Sequence, residues 1–220
     1  MAFKVYLSPS NQPDNTYNGV NANERDNCRA IANKVKVALE RCGMEVKIGL
    51  NGSSNVTESN NWGANLHLPI HTNAANKSAR GAVVLAYSTA VSDMKYAQPM
   101  LDELKAIVLK QDAGRGIQIR KDLSEIKQTK AICTYVEVDF HDVPEVAKWL
   151  TTEHDKIAEA ICKGVCKGAG VTYKAPNTTT TNTTATNTNE LNTLKTENAN
   201  LKKQVADLQA KITAAQNALK

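Results

Sequence analysis

Residues 3–48, FKVYLSPSNQPDNTYNGVNANERDNCRAIANKVKVALERCGMEVKI, decide the fold. The segment opens on a short strand-like run, Phe3 to Leu7, and passes into a loop rich in Ser, Pro, Asn and Gly. From Glu24 onward apolar residues recur at Cys28, Ile31, Val35, Ala38/Leu39 and Cys42, the spacing of a helix with one buried face, and Gly43 ends it. A second strand-like run follows at Glu45–Ile48. Strand, helix and strand in that order make the unit from which parallel sheets are built.

Working outward, strand-like runs recur at Leu66–His71, Ala82–Tyr87 and Ala131–Val138, separated by helical patterns at Asn55–Ala64 and Val91–Gln111. Asp142 reads as the N-cap of a further helical region, with Pro144 in its first turn, that runs to Gly168 with a break near Thr151. The expectation is an α/β head over residues 1–174, a mostly parallel twisted sheet flanked by helices. Trp149 and Phe140 read as core anchors, while Trp62, beside the polar NNW segment, can go either way.

Residues 175–189 are of another kind, a Thr/Asn-rich tract with no large apolar residue, and are expected to form a disordered linker. Residues 190–220 then carry an unbroken heptad pattern: Leu191, Asn198, Val205, Ile212 and Leu219 at a, with Leu194, Leu201, Leu208 and Ala215 at d. Leu at d, β-branched residues at a and one a-position Asn specify a parallel two-stranded coiled coil. A homodimer through residues 190–220 is the expected assembly, and an amphipathic helix folded back on the head is the alternative.

The 220 residues hold 27 Lys+Arg and 22 Asp+Glu, a net charge of +5, and the tail beyond Lys174 accounts for five lysines against three acids. The modest positive excess suits an anionic surface such as a cell wall, but no Arg-rich run or aromatic-studded basic stripe points to nucleic acid. No apolar stretch is long enough for a membrane span or signal peptide, so cytoplasmic synthesis is expected, with no membrane partner. The five cysteines, Cys28, Cys42, Cys133, Cys162 and Cys166, are odd in number and form no CxxC. They read as buried free thiols. Cys162 and Cys166 are helix neighbours with metal-ligand spacing, but no further Cys or His lies near them in sequence.

Acidic and imidazole groups fall where such a sheet opens onto its loops, the place where α/β sheets bind ligands. Glu24 begins the first helix, His71 ends the strand LHLPIH, Glu137 lies near the end of AICTYVEV, and His141 follows four residues later. These are the ligand types of a catalytic zinc site with three protein ligands and an open position. Surface glutamates and partly buried histidines are the ordinary alternative. His67 lies on the same strand face as His71 but about 13 Å along the strand, and reads as structural. His154, in TTEHDK, reads as a surface residue.

Five segments, VYLSPSNQ (5–12), NANERDNCRAIA (21–32), PIHTNAAN (69–76), RGAVVLAYS (80–88) and YVEVDFHD (135–142), resemble in order the motifs of the zinc-dependent N-acetylmuramoyl-L-alanine amidases. The resemblance covers roughly residues 3–170. It implies Zn2+ held by Glu24 and His71, Glu137 as the catalytic carboxylate, and peptidoglycan as substrate, cut between N-acetylmuramic acid and L-alanine. Where the family has a ligand His in a Gly-His-Gly loop, this sequence reads Ser10-Asn11-Gln12. A neutral amide is a weak zinc ligand, and the expectation is that His141 takes the third position, as in a branch of the family with an SPSxQ opening. Asn73 and the loops 11–23 and 72–78 are expected to line the substrate groove. Release onto the wall by a phage-type endolysin route fits a chain without a signal peptide. The rival reading is a catalytically inactive wall-binding or scaffold module displayed on the coil.

Overall fold

The computed structural model describes residues 2–50 and 52–176, together with Val205, Leu208 and Lys211. Met1–Ala175 pack as one unit and Pro176–Lys220 form the other. The expected linker and coil therefore lie almost wholly outside the described residues; Val205 and Leu208 are helical with exposed side chains.

The strands are β1 (Lys4–Pro9), β2 (Glu45–Ile48), β3 (Leu66–Asn73), β4 (Val83–Ala86), β5 (Ile117–Ile119), β6 (Ile132–Cys133) and β7 (Tyr135–Phe140). The helices are α1 (Glu24–Arg41), α2 (Asn55–Trp62), α3 (Val91–Lys105), α4 (Ser124–Gln128), α5 (Pro144–Thr152) and α6 (His154–Ala169). One sheet runs in the order β2-β1-β3-β7-β4-β5, with β6 paired to β3. Every pairing is parallel except β4 with β7. The expected α/β fold with a mostly parallel sheet is borne out.

β3 is the middle of the molecule, and its residues from Leu66 to Thr72 are all buried, as a strand covered on both faces must be. Pro69 in such a strand removes a ladder donor. The sheet accommodates this at the break between β6, which pairs with Leu66 and His67, and β7, which first pairs with Ile70. The single strand expected over 131–138 is for that reason two strands.

α1 begins at Glu24, as the sequence predicts; Asn23 caps it, its Oδ1 accepting from Asp26 N at 2.9 Å, and the helix face of Cys28, Ile31, Val35 and Leu39 is fully buried. Gly43, at φ 87, turns the chain back into β2 in a left-handed conformation that costs glycine little. α3 stops at Lys105, short of Gln111. Asp142 is not the N-cap of α5: Val143 holds that position, and Asp142 Oδ2 instead accepts from Ala75 N at 2.9 Å and Lys77 N at 2.8 Å, pinning the loop after β3. Phe140 and Trp149 are buried core residues, as expected.

Candidate active site

The carboxyl ends of β1, β3 and β7 meet the start of α1, and this junction gathers most of the expected site residues. Glu24, the first residue of α1, is 1% exposed. Its Oε1 lies 2.7 Å from His71 Nδ1, and its Oε2 accepts from Asn15 Nδ2 at 2.6 Å. Burial alone would raise the carboxyl pKa, but the hydrogen bonds from His71 and Asn15 together with the nearby imidazole hold it below the ordinary value. Glu24 is thus a buried carboxylate kept in its anionic form.

His71 is set by β3 and by the ring of Tyr135, stacked 4.7 Å away. Glu137 is its direct partner across the parallel β3/β7 pair, so the two side chains leave the sheet on the same face. Burial, aided by the negative charge of Glu24, pushes Glu137 up from 4.5 to about 7 against the opposing pull of His71 and Arg120. Its Oε2 is buried with no hydrogen-bond partner. Beside His71 opens a cleft of about 240 Å3 lined by Ser8, Pro9, Asn11, Glu125 and Tyr135 among others.

His141 is positioned differently. It is 4% exposed, stacks on Tyr17 at 4.9 Å, and its Nδ1 lies 2.9 Å from Thr72 Oγ1. Tyr17 Oη in turn reaches Thr72 Oγ1 at 2.9 Å and accepts from Asn27 Nδ2 at 2.9 Å, and Asn27 Oδ1 is 2.7 Å from His154 Nε2. A buried polar chain therefore runs from α6 to the strand ends. His154, half-buried, is its outer end, so the surface reading of that residue holds only in part. Glu24 and His71 are brought into direct contact, but His141 is not drawn within 4.8 Å of both: among the described residues the trio that meets that spacing is Cys42, Cys162 and Cys166.

Asn11 lines the cleft but is tied to α1. Its Oδ1 accepts from Arg29 Nη2 at 2.9 Å, and Gln12 is the residue whose Nε2 stands 3.5 Å from His71 Nδ1. Asn15 bridges Gln12 Oε1, at 2.8 Å, to Glu24. Sequence reasoning placed Gln12, Asn15, Tyr17 and Thr72 only within the loops 11–23 and 72–78 expected to line the groove and gave none of them a role of its own. His67 is structural, as expected: it is fully buried and stacks on Tyr6 at 5.5 Å, with Nε2 3.5 Å from Glu125.

The N-acetylmuramoyl-L-alanine amidase family profile matches residues 11–167. Among curated proteins no sequence matches the chain. Solved structures similar to it include the CwlD amidase from Clostridioides difficile in complex with the GerS lipoprotein, at 22% identity over 76% of this chain and 98% of that one, TM-score 0.69. Another is the catalytic domain of CwlV, an N-acetylmuramoyl-L-alanine amidase from Bacillus (Paenibacillus) polymyxa var. colistinus, at 17% identity, 77% and 99% coverage and TM-score 0.68. A third is the catalytic domain of an endolysin targeting Clostridia difficile, at 22% identity, 74% and 96% coverage and TM-score 0.62. At these identities the three share a fold with the chain. The family profile, which spans most of the head, says more: the chain belongs to the N-acetylmuramoyl-L-alanine amidase family of peptidoglycan hydrolases.

Proposed function

We propose that the amide between N-acetylmuramic acid and L-alanine is cleaved at the junction of β1, β3 and β7, with Glu24 and His71 as ligands of a zinc ion and Glu137 as the base. The observation that carries this reading is the pair of buried acids flanking one imidazole: Glu24 held ionised against His71, and Glu137 with a buried, unpartnered oxygen. The nitrogen and oxygen atoms of such a donor set suit zinc. Zinc, when bound, supplies Lewis-acid polarisation of the scissile carbonyl and an acidified water. Glu137 would accept a proton from the attacking water at Oε2 and return it to the departing amine, the work of a carboxyl whose pKa lies near neutrality. The Tyr135 ring holds His71 against rotation during both transfers.

His141 is the proposed third ligand. With Nδ1 hydrogen-bonded to Thr72, its Nε2 is left for the metal, the arrangement by which ligating histidines are usually oriented. Gln12, the amide beside His71, is the competitor for that role. The two are separated by zinc content measured on folded variants: relative to the wild type, His141→Ala is expected to lose one equivalent of zinc together with activity, with Gln12→Ala retaining the wild-type content. Unchanged zinc in His141→Ala would remove His141 from the ligand set.

Peptidoglycan is a polymer, and two heads joined through residues 190–220 would engage it bivalently. The heptad pattern supports that assembly. The full chain is expected to sediment at twice its 23.9 kDa mass; a monomer at high micromolar concentration would contradict it. Synthesis in the cytoplasm followed by release onto the wall, in the manner of an endolysin, belongs to the same proposal.

A further inference from the structure

The sequence offers Cys162 and Cys166 no neighbour, but the fold supplies one from 120 residues away. Cys42, the C-cap of α1, brings its sulfur to 3.7 Å from Cys162 Sγ, and the sulfurs of all three cysteines lie within 4.8 Å of one another. All three are buried and none is in a disulfide. They sit at the opposite end of α1 from Glu24. The helix has 18 residues, which at a rise of about 1.5 Å per residue separates the two places by about 27 Å. The trio is therefore no part of the hydrolytic site.

Packing alone explains a buried cysteine, but not the surroundings of this trio. The backbone N–H of Lys174 donates to Cys42 Sγ at 3.3 Å, and the Lys174 carbonyl oxygen is 3.9 Å from the same sulfur. An amide aimed at a sulfur stabilises thiolate over thiol. Arg41 closes the site: its Nε donates to Lys174 O at 2.8 Å and its Nη2 to Glu159 Oε2 at 2.6 Å, so an Arg–Glu ion pair, which also fixes the Lys174 carbonyl, borders the three sulfurs. Zinc–sulfur bonds of about 2.3 Å set tetrahedral sulfur–sulfur spacings near 3.8 Å, and the Cys42–Cys162 pair already stands at that distance.

We propose that Cys42, Cys162 and Cys166 form a second metal site, for a thiophilic cation such as Zn2+, that ties the end of α1 and residues 171–174 to α6. Three thiol protons leave to solvent as the ion binds. Three thiolates with one divalent ion carry a net single negative charge, which the Arg41–Glu159 ion pair leaves unchanged, and the Lys174 carbonyl is the nearest candidate for a fourth donor. The role is structural, fixing the point from which the chain leaves the head.

The test uses the full chain, reduced and stripped with chelator, then titrated with Co2+. A thiolate-to-cobalt charge-transfer band is expected, bleached by added Zn2+. It should persist in His71→Ala, since Glu24 and His71 offer no sulfur, and be lost in Cys42→Ser. Should Cys42→Ser fail to fold, Cys166→Ser serves in its place, and the wild-type titration stands without either variant. Absence of the band in the folded wild type overturns the proposal, as does a purified chain lighter by two hydrogens whose disulfide maps by peptide mass to two of Cys42, Cys162 and Cys166.

Discussion

Glu137→Gln in the full chain is expected to lower amide hydrolysis by about 10²-fold or more and, at neutral pH, to make the metal-free protein more stable. Both effects come from one burial. Glu137 stands on β7 opposite His71 with an unpartnered oxygen, and its pKa is pushed from 4.5 to about 7. Gln keeps the shape but neither accepts nor returns a proton. The sign of the stability effect follows from proton binding: between pH 4.5 and about 7 the folded chain keeps a proton that the unfolded chain has lost. Stability of the metal-free wild type therefore falls as pH rises through that window. At about 1.4 kcal/mol per pH unit of displacement the cost is on the order of 3 kcal/mol above neutrality. Below pH 4.5 both states of the wild type are protonated at this position, and the variant should melt with the wild type. Thermal melts in chelator across this range check it. A difference that does not grow with pH would mean that Glu137 is not held as described.

Gly164→Val is expected to be the most damaging substitution away from the site. α6 crosses α3 so closely that a Cβ at position 164 would lie 2.8 Å from Met100 Cα and 3.2 Å from Met100 N. These are backbone atoms, so relief requires moving a helix. One turn on, a Cβ at Gly168 would meet the Tyr96 ring and the Lys95 carbonyl at 2.9 Å. That carbonyl faces α6 because Pro99, inside α3, has no N–H to bond it. Overpacking of this kind costs about 3 kcal/mol or more, and in a domain of this size each kcal/mol lowers Tm by roughly 2–4 °C. A fall of about 10 °C is expected by calorimetry, with Gly164→Ala intermediate. An unchanged Tm would contradict the close approach of the two helices.

The sequence was legible where a pattern was long or a residue type strongly placed. The repeat from Cys28 to Cys42 marked α1, Glu24 its start, and the positions of Glu24, His71 and Glu137 at helix and strand ends their place around one junction. β5 and α4 escaped because Ile117–Ile119 and Ser124–Gln128 are too short for any periodicity to build up. The β6/β7 break depends on Pro69 in a different strand, and Asp142 was drawn from its capping role by backbone amides at Ala75 and Lys77. Gln12 and Asn15 looked like two more loop amides among many; only the three-dimensional path of the loop shows that they flank His71 and Glu24. The cysteine trio was hidden for the same reason, its third member lying 120 residues from the nearer of the other two. Local pattern reveals elements, but contacts made across the whole chain belong to the fold.

Hydrolysis at the junction of β1, β3 and β7 shows itself most directly in which bond the full chain breaks in purified peptidoglycan. Incubation of wild type and Glu137→Gln, with and without chelator, followed by labelling of new amino termini and new reducing ends, decides it. The expected result is new amino-terminal L-alanine from the wild type alone, lost with chelator, and no increase in reducing ends. New reducing ends, or amino termini of any other residue, or full activity in Glu137→Gln, would contradict it.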